Sequence, residues 1–136
     1  MNKRLIWNEE WALGIEPLDA DHRRAAALID ALFAAEHARP VGDRLHDLIE
    51  HLRRHFDAEQ LFLRSIAYPH WQTHCRDHAL QLAELVEFQR ELEHSGATHL
   101  PTEDARAIRN WFFTHLIAED RRFALYYHAK VFKPTE

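Results

Sequence analysis

The tightest constraint on this chain is how rarely it can turn. Its strong breakers are Pro17, Pro40 with Gly42, Pro69, Gly96 with Pro101, and Pro134, and long uninterrupted stretches lie between them. Those stretches are rich in Ala, Leu, Glu, Arg and Gln, which favour helix, and comparatively poor in β-branched residues, which favour strand. Four amphipathic helices are therefore expected. Helix A spans about 19–37, capped by Asp19, with a stripe through His22, Ala25, Ala26, Ile29, Leu32 and Phe33. Helix B spans about 41–64, its seam of Leu45, Leu48, Leu52, Phe56 and Leu63 interrupted by His55 and Glu59. Helix C opens at Pro69, carries His74, His78, Leu82, Leu85 and Leu92, and ends before Gly96. Helix D runs from a Thr102 cap to about 130. Short connections between long helices predict an all-α, up-down-up-down four-helix bundle. Residues 1–17 form an extended arm and residues about 19–130 the bundle, within one domain covering 1–136.

Composition narrows the function. Hydrophobic residues at 46% and charged residues at 29% fit a globular chain. No apolar run approaches the roughly twenty residues of a membrane span. Met1 to Trp11 lacks the apolar stretch of a secretory signal, so a cytoplasmic location is expected, with no membrane partner. Seventeen basic against twenty-two acidic residues give a net charge of −5, with no basic block for phosphates, and nucleic acid is not an expected partner. The single cysteine, Cys75, cannot form an internal disulfide.

The unusual quantity is twelve histidines in 136 residues. His55 with Glu59, and His74 with His78, are four apart and so share a helix face. Both pairs fall on apolar stripes, where a buried polar group needs a partner. Measured from the turn between helices B and C, both pairs lie at one height. His115 and Asp120 reach the same height on helix D, and His22 is within reach on helix A, so five histidines and two carboxylates converge. On a pair of octahedral ions, five imidazoles, two bridging carboxylates and a bridging oxo or hydroxo group leave one position open. Oxygen and imidazole donors without thiolate suit iron. One spacing resists a straight helix: residues five apart do not share a face, so the helix at His115–Asp120 is either used on both sides or locally widened.

The same residues resemble hemerythrin, specifically the single-domain bacterial hemerythrins, from Trp7 to about Tyr127. The resemblance rests on Gly14-Ile15, Asp19-Ala20-Asp21-His22, His55-Phe56-Asp57-Ala58-Glu59, Tyr68-Pro69 followed by His74 and His78, and Trp111 and His115 followed by Asp120. It implies two iron ions with an oxo or hydroxo bridge. His74, His78 and His115 would hold the saturated iron, His22 and His55 the iron with the vacancy, and Glu59 and Asp120 would bridge them. It further implies reversible dioxygen binding for storage, delivery or buffering, by an oxygen-binding protein rather than an enzyme. The alternative is a di-iron enzyme or sensor acting on peroxide, nitric oxide or dioxygen. The pocket departs from the family pattern at Ala25, Gln81, Phe112 and Leu116. With Trp111, these are the candidate residues of the oxygen pocket, repacked and more polar than usual. His37, His46, His51, His70, His94, His99 and His128 have no matching role and are expected to face solvent. Glu91 with His94 forms a chance E-x-x-H.

Overall fold

The computed structural model describes residues 7–34 and 37–131. The first long helix is α1 (Glu16–Ala31), followed by α2 (Val41–Ser65) and α3 (Trp71–Ser95). The fourth rod of the bundle, 102–131, is continuous but changes winding. It comprises α4 (Thr102–Thr114), a π-helical stretch π1 (His115–Asp120), α5 (Arg121–Tyr126) and a second π-helical stretch π2 (Tyr127–Val131). The expected four-helix bundle is what forms. α2 packs closely against both α1 and α3, and α4 closes against α1. No helix among the described residues is long and apolar enough to cross a membrane.

Helix ends differ from expectation where side chains from elsewhere set them. α1 begins at Glu16, with Pro17 inside its first turn rather than before it, because a first-turn residue has no intrahelical use for an N–H. Asp19 is thus not a cap. It is buried inside α1, and its carboxylate accepts from the backbone N–H of Leu13 at 2.7 Å and of Gly14 at 3.1 Å, fastening the arm to the helix. The arm is not wholly extended, since Glu9–Trp11 is a 3-10 turn whose first N–H bonds are satisfied by Asn8. Residues 1–6 of the predicted arm lie outside the described residues.

The first helix stops at Ala31 instead of near 37. Buried Arg44 of α2 donates its guanidinium to the carbonyls of Ala31 and Ala34, which gives the last turn of α1 partners in place of a further turn. At the other end of α2, Ala67 takes φ 53°, Tyr68 N–H reaches Leu63 O, and Ala67 N–H reaches Arg64 O. This left-handed closure is usually made by glycine. It delays α3 to Trp71, two residues after the expected Pro69. Thr102 is the first residue of α4 and gives no side-chain cap; Pro101 precedes it, its carbonyl accepting from Asp104 and Ala105. Gly96, at φ 68°, ends α3 as expected.

The interior is layered. Ile29, Leu32, Leu45, Leu48, Leu85 and Ile108 fill the half of the bundle near the α1–α2 connection. Leu63, Ile66, Tyr68 and Phe123 fill the far end. Between these two apolar layers sits a layer of buried polar side chains.

Candidate metal centre

His22 of α1, His55 and Glu59 of α2, His74 and His78 of α3, and His115 and Asp120 of π1 form that polar layer, and every one of them is buried. The helix period places each pair from α2 and α3 on one face. π1 does the same for the pair five apart: in a π-helix the backbone bond runs from i to i+5, so such residues come onto one side. His115 Nε2 stands 3.0 Å from Asp120 Oδ1, and the local widening is how the structure resolves that spacing.

Glu59 is the hub. Its Oε1 lies 2.7 Å from His74 Nε2 and 3.2 Å from His78 Nε2, and its Oε2 lies 2.9 Å from His55 Nε2 and 3.6 Å from His22 Nε2. Asp120 spans the layer in the same way, with Oδ1 at 3.1 Å from His74 Nε2 and Oδ2 at 3.2 Å from His22 Nε2. The donors fall into two groups that share Glu59. One is Glu59, His74, His78, His115 and Asp120; the other is His22, His55 and Glu59.

Several of these atoms are poorly served by hydrogen bonds. His22 Nε2, Glu59 Oε2 and Asp120 Oδ1 are buried without a well-directed partner despite their close neighbours. His78 Nε2 and His115 Nε2 face each other at 3.1 Å. Lone pairs converging on common points, rather than aligning donor to acceptor, fit cations better than a hydrogen-bonded network. Charge points the same way. Burial alone would raise the Glu59 and Asp120 carboxyls, but surrounding imidazoles, His55 foremost for Glu59 and His115 for Asp120, hold both below the usual carboxylate range. Burial likewise opposes charge on His55 and His74. It is outweighed by Glu59 and the Asp21 hydrogen bond for His55, and by Asp120 and Glu59 for His74, and both imidazoles are pushed up to about 10. Two buried anions therefore demand positive charge in this layer, and imidazole and carboxylate donors without thiolate suit a divalent transition metal.

Sequence reasoning missed Asp21. Its carboxylate accepts from His55 Nδ1 at 2.9 Å, which leaves Nε2 as the atom facing Glu59. A carboxylate behind an imidazole ligand fixes the ring and its tautomer. Asp21 stood in the Asp19-Ala20-Asp21-His22 run without a role, because its partner His55 lies thirty-four residues away on another helix. Asp21→Ala should weaken binding at the His22–His55 group by about 10–100-fold, and Asp21→Asn, which keeps an acceptor, by much less. Chelator competition measures this, and equal affinity in Asp21→Ala and parent would deny the role.

The pocket candidates take different places. Ala25 and Leu116 are fully buried. Phe112 meets His22 edge-on with ring centroids 6.3 Å apart, and Trp111 stacks on His115 at 4.9 Å and 21°. Gln81, in the amide orientation its neighbours require, accepts from Trp111 Nε1–H at 2.9 Å and donates to Glu84 at 3.1 Å. Phe56, read from the sequence only as core, stacks face to face on His78 with centroids 3.8 Å apart. Two bystander histidines are not simply solvent-facing. Half-buried His51 donates to the Asp21 carbonyl at 2.9 Å, and His128 donates to the Leu13 carbonyl at 2.8 Å.

Fold and layer together define a helical bundle with a buried histidine–carboxylate candidate metal centre. Among known proteins, the chain is similar over most of its length to bacteriohemerythrins. That of Stenotrophomonas maltophilia is 23% identical over 88% of this chain and 79% of its own length, and that of Clostridium acetobutylicum 24% over 87% and 97%. A bacteriohemerythrin of Campylobacter jejuni is 29% identical over 63% of this chain and 64% of its own. No protein-family model matches the chain.

Proposed function

We propose that this chain binds two iron ions in the histidine–carboxylate layer and takes up dioxygen reversibly, as a cytoplasmic protein that stores, delivers or buffers it. The observation that carries the reading is the pair of donor groups joined through Glu59, together with the similarity to bacteriohemerythrins. Glu59, His74, His78, His115 and Asp120 would hold one ion and His22, His55 and Glu59 the other, with Asp120 also 3.2 Å from the second group at His22. The group with fewer donors, His22 and His55 with the carboxylates, would leave its ion more positions for an exogenous ligand. An iron pair supplies two electrons that can be lent to dioxygen and recovered. The protein's own part is to hold five imidazoles at fixed angles, to neutralise the ions with Glu59 and Asp120, and to keep bulk water out with the apolar layers on either side.

Purified protein should contain roughly two irons per chain. Anaerobic reduction followed by oxygen titration should give an absorption change that reverses when oxygen is removed. A single ion, or zinc that iron cannot displace, would refute the di-iron reading. Irreversible oxidation with peroxide turnover would move the function to a di-iron enzyme.

A further inference from the structure

The α3 backbone runs closer to α2 than to α4, which it meets through side chains. Among the described residues, polar contacts from α3 to the fourth rod include His74 to Asp120 and His78 to His115 within the polar layer and, a turn further on, Gln81 to Trp111. The α3–α4 seam holds a narrow cleft. Glu84 and Ala107 are exposed at its rim, beside half-buried Gln81, while Ile29, Leu52 and Phe112 are buried at its floor. Leu52 lies three residues before His55 and Ile29 seven after His22, on the same helix faces, and Phe112 touches His22. Phe112 is thus common to the cleft floor and to the surroundings of His22, in the group poorer in donors.

The chemistry of the cleft selects its occupant. Its free core of about 10 Å³ is at the lower limit for a single water, so the seam is closed in this structure and a diatomic molecule passes only when it parts. A buried water needs two or more polar partners. At the rim the Gln81 amide and the Trp111 N–H are engaged and the floor is apolar, so a seam that parts offers contacts to a small apolar molecule and few partners to water. We propose that the Gln81–Trp111 hydrogen bond is the gate of a route along the α3–α4 seam by which dioxygen, or a small apolar molecule like it, reaches the His22–His55 end of the layer. The inference rests on the oxygen-binding reading of that layer. A gate acts on entry and exit alike, so it changes rates more than affinity.

Two measurements test it. In full-length zinc-loaded protein, dissolved paramagnetic dioxygen should relax the methyl resonances of Ile29 and Leu52 more strongly than those of equally buried Leu63, which lies beyond the layer. In iron-loaded, reduced protein, Gln81→Met, which keeps the length of the side chain but not its hydrogen bonds, and Gln81→Ala should each speed oxygen association and release together by about three- to tenfold, the effect of one hydrogen bond lost from the closed state. Leu80→Ala on the exposed face of α3 should change neither rate. Equal relaxation at Leu63 and Ile29 would remove the route. Unchanged rates in both Gln81 variants, with melting temperatures like the parent's, would remove the gate. Selective relaxation of Ile29 and Leu52 in a protein whose reduced iron form takes up no oxygen would leave the route standing and overturn the oxygen-binding function instead.

Discussion

Glu59→Ala should empty the whole metal layer rather than one corner of it. Its two oxygens contact four imidazoles, at 2.7 and 3.2 Å on one side and 2.9 and 3.6 Å on the other, and both donor groups depend on it. Loss of one histidine removes a single donor from one group. Loss of Glu59 removes a donor and a neutralising charge from both, and breaking a fully buried charged set typically costs about 3–5 kcal/mol. Bound iron should fall from roughly two ions per chain to fewer than about one. Glu91→Ala is the matched control, because Glu91 and His94 are both exposed on α3. Metal analysis of the purified variants decides it. Retention of both ions by Glu59→Ala, or loss of them in Glu91→Ala, would show that the hub has been misplaced.

Much of this layer was legible because it obeys the helix period. His55 with Glu59 and His74 with His78 announce themselves by interrupting apolar stripes at a spacing of four, and the sparse breakers set the heights that bring the helices together. What was hidden acts outside that period. The widening at π1 was one of two readings of the five-residue spacing, left open because Leu116, Ile117, Ala118 and Glu119 would sit equally well in an α-helix; it serves the meeting of His115 with Asp120. Asp21 is a sequence neighbour of the ligand-type residue it does not support and a partner of one thirty-four residues away. Helix ends were misread for a related reason. Asp19 looks like a cap because it precedes an apolar-periodic run, but its oxygens serve the incoming arm. The end of α1 is set by Arg44, thirteen residues beyond Ala31. Ala67 closes α2 in a left-handed conformation that composition would assign to glycine.

Removing the metal should destabilise the molecule strongly and unevenly. A ligand that binds only the folded state stabilises it by about 4 kcal/mol when present at a thousand times its dissociation constant. For a chain of this length that amounts to a melting shift on the order of 15 °C for one ion, and more for two. The loss should concentrate where the layer meets the fourth rod. π1 holds two of the donors, its widened winding serves the cluster, and Arg121 next to it ties the arm through the Glu10 carbonyl at 2.7 Å. The apolar half around Leu45, Leu48, Ile49 and Ile108 lies on the other side of the layer and keeps its own packing. Hydrogen exchange of iron-loaded against chelated protein should therefore show large loss of protection over 115–126 and at His74 and His78, and a smaller one over 41–52. Uniform loss along all four rods would mean that the metal layer and the apolar half unfold as one unit, and equal melting of both forms would mean that the layer does not hold metal.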